Sequence, residues 1–369
     1  MQQYKPDKVF VEKSVAGSVI TRNVLENLPQ TPVEWIDEAG QMVDQSRRWN
    51  PSIARAKQVL VLARHQGRFF KPCPAGTTKT GLRNVCCNYF IVNFASNCHM
   101  ECSYCYLQTY LNLPYMVVYA NIEDLLDELG QVFRANPESC YRVGSGELAD
   151  SLALDSLTGY SRPLVEFFAG FPNAALEFKT KSDCIENLLD LDHRGRTVVS
   201  WSINPPAVVQ ADEHKTATFE QRLAAAEKCS AAGYPIVFHF DPLIHYPDWE
   251  RDYRSMVEEI FERIPPRSVP WASLGALRMP PRLKALMRER FPRSSLPLGE
   301  LLPSQDGKLR YFKPIRVEML SKMRAWIAAA SPQTRLYSCM ENTDVWQKVF
   351  QAQQPPSEVE LGDSLLQLL

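Results

Sequence analysis

Apolar positions recur along this chain in two rhythms. From about residue 88 onward, short runs rich in β-branched and aromatic residues alternate with longer segments whose apolar positions return every three or four residues. The first rhythm predicts buried strands and the second amphipathic helices. Strands are expected at 89–94, 141–143, 176–181, 197–204, 235–240 and 271–277, and helices at 122–135, 156–170, 184–191, 218–231, 249–263 and 281–290. Strands that alternate with helices pair in parallel through crossovers. Such units predict an α/β fold, a partial (β/α)6 TIM barrel, with its active site where the C-terminal ends of the strands open into loops. The flanks are read as extensions, so the organisation expected is 1–84, 85–280 and 281–369. In the first, 9–11 and 19–20 suggest short strands, and 51–63 a short helix or strand. In the last, a helix at 315–329, a strand at 334–337 and a helix from about 342 complete the fold.

One stretch interrupts the rhythm just after the first barrel strand. Cys98, Cys102 and Cys105 stand at C-x3-C-x2-C spacing, with Tyr104 before the third thiol. A cubane [4Fe–4S] cluster normally takes four thiolates. Three leave one iron open to bind and activate a small molecule. A structural zinc ion would want a fourth Cys or His, and none follows at finger spacing. The spacing resembles that of the radical S-adenosylmethionine (SAM) enzymes. The resemblance implies that the open iron chelates SAM and that an electron from the cluster cleaves it to a 5′-deoxyadenosyl radical.

Composition narrows the setting. The chain has 369 residues, 45% of them hydrophobic, and a formal net charge of −1, which suits a packed core and argues against a generally basic nucleic-acid binder. No apolar run is long enough for a membrane span and no leader-like segment opens the chain. Ten cysteines without a leader point to reduced thiols or metal, and so to a cytoplasmic protein.

Other polar residues fall at expected strand ends. Gly144-Ser145-Gly146-Glu147 ends the second barrel strand, where glycine admits close backbone approach and a carboxylate can pair with an ammonium; it resembles the G-G-E element that holds the SAM amino group. Lys181, Ser202 and Asn204 end the next two strands and are candidates for the SAM carboxylate and ribose, or for capping the following helices. His239, Asp241 and His245 end the fifth, as core residues or site residues. Cys73, Cys86, Cys87 and Cys339 either meet around a second cluster or metal, or are small buried hydrophobes. Cys184 and Cys229 fall on expected helices as core. Arg64, Arg68, Lys71, Lys79 and Arg83 form a basic loop, solvated or phosphate-binding. Arg278, Arg282, Lys284, Arg288, Arg290 and Arg293, with Lys308, Arg310 and Lys313, form a second basic stretch with Tyr311 and Phe312 between, a phosphate-neutralising face or a solvated one.

Residues 98–109, reading C-H-M-E-C-S-Y-C-Y-L-Q-T, resemble the cluster region of the spore photoproduct lyase family, with Tyr104 and Tyr106 matching its two tyrosines. Lys5-Pro6-Asp7-Lys8-Val9, Asp150, Leu157-Thr158-Gly159, Thr180-Lys181, Ser202-Ile203-Asn204, Ala232-Gly233-Tyr234-Pro235, Trp249-Glu250 and Tyr253-Arg254 extend the resemblance over residues 5–330. It implies a radical SAM partial barrel, one [4Fe–4S] cluster, SAM, and reversal of the spore photoproduct thymine dimer in DNA. The implied partners are DNA carrying a pyrimidine lesion and an electron donor such as flavodoxin or ferredoxin. The implied relay of hydrogen runs through Tyr104 and Tyr106.

Two features depart from that family. Its hydrogen-donor cysteine after the second strand is replaced by Glu147, and Cys140 lies about 20 Å away along the strand. Its basic hairpin before the last helix is shortened to Ser304-Gln305-Asp306-Gly307. A lyase-like branch is the reading these departures support. Its rivals are radical SAM chemistry on RNA or a small molecule, and a non-catalytic metal-binding protein.

Overall fold

The computed structural model describes residues 4–42, 52–74 and 85–369. Its largest sheet has eight strands: β1 (Phe70–Pro72), β2 (Tyr89–Val92), β3 (Tyr141–Gly144), β4 (Ala174–Thr180), β5 (Thr197–Ser202), β6 (Ile236–Leu243), β7 (Trp271–Ala276) and β8 (Arg335–Ser338). Their order in space is their order in the chain. Every neighbouring pair is parallel except the β1/β2 hairpin. The sheet curls into a half-barrel, and it runs past both expected domain boundaries, since β1 precedes residue 84 and β8 follows residue 280.

Helices at Ile122–Ala135, Ser161–Ala169, Phe219–Ala231, Trp249–Arg263 and Lys313–Ala330 cover the sheet. Ile122, Leu125, Leu129 and Phe133 form the buried stripe of the first, each side chain worth about 1.5–3 kcal/mol on leaving water. Thr218 and Gln221 close a capping box on the third, which satisfies backbone donors at its start. Two expectations fail locally. Residues 186–190 form turns, held by Ile185–Leu188 and Leu188–Leu191 backbone bonds, so Cys184 is half-buried in irregular chain while Cys229 is a buried helix residue. The helix expected at 156–170 divides at Gly159, whose φ of 62° is left-handed.

The N-terminal region builds a second sheet of five strands, in the order Val33–Ile36, Lys8–Glu12, Val59–Ala63, Met116–Tyr119, Ala95–Ser96. Residues 19–20, expected in a strand, instead begin the helix Val19–Asn27, because the Ser18 hydroxyl accepts the Thr21 amide as an N-cap. The last two strands of this sheet are antiparallel neighbours. Everything between them, residues 97–115, is one excursion, and it contains the three thiols. The second sheet thus fixes both ends of the cysteine loop, while β2 and β3 fix it against the barrel.

Candidate active site

The loop begins with Asn97 at φ 75°, a left-handed position that asparagine tolerates better than most residues. Its side-chain oxygen accepts the Cys98 amide at 2.8 Å and its side-chain nitrogen donates to the Pro114 carbonyl at 2.7 Å. The two ends of the excursion are therefore joined through one side chain. Deeper in, Lys57 Nζ donates to the Met100 carbonyl at 2.6 Å, and Ser103 bonds to Asp212 through both its amide (2.8 Å) and its hydroxyl (2.5 Å). Gln108 donates to the carbonyls of Cys102 and Ser103. Arg290 reaches in to bond Glu101 at 2.5 Å and Gln108.

These ties bring Cys98, Cys102 and Cys105 into one apolar pocket with Met100, Tyr104 and Ala153. Burial pushes all three thiols up, Cys98 to about 12, while Lys57 and Lys181 pull the other way. The pocket thus disfavours bare thiolates: Asp150 and Glu213 add to the burial, and Lys57 and Lys181 offset them only in part. That donor set fits a soft metal centre, whose charge would offset the thiolates. Among the described residues no three Cys, His, Asp or Glu side chains close on a single-ion position. His99 is buried against Tyr4, ring centroids 5.2 Å apart, with neither ring nitrogen bonded. Burial, with Lys57 and Lys215 nearby, lowers it to about 4, so it is neutral packing.

Beside the thiols lies a buried charged group. The Tyr104 hydroxyl donates to Glu213. Glu213 also accepts from Asn204 Nδ2 at 2.8 Å and Arg222 Nη2 at 2.5 Å, with Lys181 Nζ at 3.5 Å. Glu213 and Arg222 have no side-chain exposure. Burial alone would raise the Glu213 carboxyl, but Arg222 and Lys181 hold it down at about 2. Asn204 accepts from Tyr253 at 2.6 Å, so both ends of its amide are bonded within the protein. Ser202 gives its carbonyl to Arg222 at 2.9 Å.

The Gly144-Ser145-Gly146-Glu147 run sits between β3 and β4. A Cβ on Gly144 would fall 1.6 Å from the Tyr89 hydroxyl, so the missing side chain makes room for that ring. Ser145 bonds Ser151 at 2.9 Å, and the Glu147 carboxylate accepts from Asn93 at 2.9 Å. The Tyr106 hydroxyl donates to the Glu147 carbonyl, while its ring is 41% exposed beside Tyr110. Asp150 accepts from the amides of Leu152 and Ala153, from Thr180 Oγ1 at 2.6 Å and from the Lys181 amide at 2.7 Å. One carboxylate therefore fixes the exit of β3 to the end of β4.

Inside the half-barrel, His239 is a satisfied core residue: Nε2 donates to Glu177 at 2.5 Å and Nδ1 accepts from Ser273 at 2.6 Å. Burial, then Lys179, keeps it neutral, at about 4. Arg142 bonds Glu177 and Tyr337, and Asp241 pairs with Arg278 at 2.9 Å. His245 donates its amide to Tyr311. Much of the basic stretch is engaged internally: Arg278 with Asp241, Arg290 with Glu101, and Arg310 with Asp306 and Glu341. Arg282, Arg288 and Arg293 are exposed. The Ser304-Gly307 turn links two short antiparallel strands, Leu302–Pro303 and Leu309–Arg310. Of the other basic loop, Arg64 pairs with Asp124, and Lys79 and Arg83 lie outside the described residues.

Lys57, Asn97, Asp212, Glu213 and Arg222 were not singled out from sequence. Arg222 had a visible signal, since it interrupts the apolar stripe Phe219, Leu223, Ala226, Cys229 of its helix; a charged residue on a buried stripe needs a buried partner.

A family model described as spore photoproduct lyase matches residues 81–332. The spore photoproduct lyase of Geobacillus sp. (strain Y412MC61) is 27% identical over 256 residues, covering 67% of this chain and 75% of that protein. That of Bacillus subtilis (strain 168) is 30% identical over 214 residues, 57% of this chain and 63% of that one. Among solved structures, a spore photoproduct lyase variant with bound AdoMet and dinucleoside spore photoproduct shares the fold with a TM-score of 0.79 at 24% identity, over 91% of this chain and 99% of that one. A spore photoproduct lyase complexed with the dinucleoside spore photoproduct gives 0.78 at the same identity, over 91% and 100%.

Proposed function

The chain belongs to the spore photoproduct lyase family of radical SAM enzymes, and from that premise we propose that it repairs a spore-photoproduct-type dipyrimidine lesion in DNA. The observation that supports this reading is the packing of Cys98, Cys102 and Cys105 together in one apolar pocket. Those thiols would hold the [4Fe–4S] cluster, which with SAM supplies a radical able to take hydrogen from the substrate. Glu147, Lys181 and Ser202 are the polar groups we assign to SAM, with Gly144, Ser145 and Gly146 shaping the strand exit behind them. Asn204 acts one step back, by holding Tyr104 and Glu213. Tyr106, half-open to solvent, is the phenol we assign to hydrogen transfer. A duplex lesion would have to be turned out of the stack to reach it, with Arg282, Arg288 and Arg293 on the phosphates. An external electron donor of the flavodoxin or ferredoxin class completes the proposal.

The test is turnover of ultraviolet-irradiated DNA by anaerobically reconstituted protein with dithionite and SAM, read by mass spectrometry of released bases and of SAM products. Thymine restored from the lesion is the expected result. Release of 5′-deoxyadenosine without lesion loss would favour a second reading, supported by Glu147 in the place of the family's donor thiol: the same radical chemistry on RNA or a small molecule. No SAM cleavage by a cluster-loaded sample would refute both.

A further inference from the structure

The half-barrel has two margins that do not pair with each other, the β1/β2 hairpin at one side and β8 at the other. Cys73 follows β1 directly, Cys86 and Cys87 precede β2, and Cys339 follows β8. The Val85 amide donates to the Glu341 carbonyl at 3.0 Å, which draws the two margins together. All four thiols line one cavity at this seam, with Arg142 and Lys179. Its free volume of about 80 Å³ is several times the roughly 10–15 Å³ that a single water occupies on that measure.

Four of the seven cysteines outside the radical SAM loop share this cavity. Cys86 lies within electrostatic reach of Cys73, Cys87 of both, and Cys339 of Cys87. Positive charge stands beside them: Arg142 near Cys87, and Arg278 near Cys339. Arg142 is 2% exposed, yet its Nη1 has no hydrogen-bond partner. A buried, unpaired guanidinium nitrogen in a cavity wall calls for an acceptor in the cavity, and a thiolate-ligated centre would supply one. Adjacent cysteines diverge in a regular strand, but Cys86 and Cys87 lie in irregular chain just before Asn88, which is left-handed at φ 50°. As in the radical SAM loop, no three ligands here close on a single-ion position among the described residues; a cluster spreads its thiolates more widely than one zinc ion does.

We propose that Cys73, Cys86, Cys87 and Cys339 hold a second iron–sulfur cluster, which clasps the seam between the first and last margins of the half-barrel. This goes beyond the radical SAM reading and does not depend on it. The full-length Cys98→Ala, Cys102→Ala, Cys105→Ala triple variant is reconstituted anaerobically with iron and sulfide. It should retain about four iron and four sulfide per chain, about half the wild-type load, with a charge-transfer band in the visible. Cys86→Ser with Cys339→Ser, in a chain whose radical SAM loop is intact, should lose the half that the triple variant keeps and unfold at lower denaturant than the loaded wild type. A triple variant with wild-type circular dichroism that binds no iron overturns the proposal, as does one that takes up a single zinc instead. If the triple variant does not fold, an unchanged iron load in Cys86→Ser with Cys339→Ser overturns it alone.

Discussion

Replacing Glu213 by glutamine should cost about 3 kcal/mol at neutral pH and should remove an acid-sensitive part of the protein's stability. Glu213 Oε2 accepts from Arg222, and Oε1 accepts from Tyr104 and Asn204, with Lys181 close by. Donors thus face both oxygens. A glutamine has one oxygen and one NH2, so either orientation sets a donor against a donor. Breaking a buried pair while leaving one charge behind costs about 3–5 kcal/mol. A second route gives a similar figure. The carboxyl falls from 4.5 to about 2, which at ~1.4 kcal/mol per pKa unit is on the order of 3 kcal/mol. Because the folded pKa is depressed, this stability is present above about pH 4.5 and is lost as pH falls toward 2. Urea unfolding of the metal-free wild type and Glu213→Gln, at several pH values between 7 and 3, measures both. The gap should be about 3 kcal/mol at pH 7 and should close as the acid limb is entered. Glu213→Leu combined with Arg222→Met removes the fully buried Arg222 charge together with its partner and should recover part of the loss, the remainder being the Lys181, Tyr104 and Asn204 groups left without Glu213. A gap below about 1 kcal/mol at pH 7, or one that does not change with pH, would refute this account of the network.

Three further outcomes follow from the same geometry. Gly144→Ala places a methyl 1.6 Å from the Tyr89 hydroxyl and should lower stability by about 1–3 kcal/mol; Tyr89→Ala in the same chain should relieve the clash, and a melting temperature for Gly144→Ala equal to wild type would contradict it. Cys102→Ala should abolish SAM cleavage and remove the iron that the radical SAM loop holds, leaving far-ultraviolet circular dichroism unchanged; full iron retention in that loop would show that Cys102 is not a ligand. Arg282→Ala with Arg293→Ala should weaken binding of irradiated duplex DNA and reduce the slope of log K against log salt by nearly 2, if each side chain neutralises one phosphate. Fluorescence anisotropy at several salt concentrations reads this, and an unchanged slope would move the DNA face elsewhere.

The barrel was legible in the sequence because its central strands are buried on both faces. Thr197–Ser202 and Trp271–Ala276 are buried at every residue, and such strands are near-continuous apolar runs. The cysteine loop was legible because spacing alone carries it. What supports the loop was not. The second sheet showed only in part: Val59–Ala63 is an apolar run buried throughout, but its strands are short and scattered along the chain, and Val33–Ile36 exposes its first three residues, so nothing local joins them into one sheet. Ser18 turned 19–20 into a helix by a cap that the apolar pair conceals. Residues 184–191 carry helically spaced Ile185 and Leu188 but form irregular chain and turns, a case of tertiary packing overriding local pattern. Lys57, Asp212 and Glu213 act across sequence separations of 43 to 109 residues, and no local pattern announces such pairs.

The two tyrosines that flank Cys105 look equivalent in the sequence, and the fold makes them chemically different. A phenol can pass hydrogen only if its O–H bond can break and re-form during turnover. The Tyr104 O–H points at Glu213, a carboxylate whose cationic neighbours make it a very weak base, so its proton has no favourable place to go. Burial first, and then the same carboxylate, raise the Tyr104 phenol, and Asn204 and Lys181 crowd its remaining side. Everything around Tyr104 therefore resists change at its oxygen and suits a residue that braces the cysteine loop. Tyr106 donates to a neutral backbone carbonyl, and the residue is partly exposed; burial and then the Glu147 carboxylate raise its phenol too, but no side-chain carboxylate among the described residues accepts its proton. That carbonyl belongs to Glu147, at the exit of β3. If hydrogen transfer runs through either phenol, replacing Tyr106 by phenylalanine should therefore lower turnover more than it lowers stability, and replacing Tyr104 should do the reverse; equal effects at both positions would contradict this division.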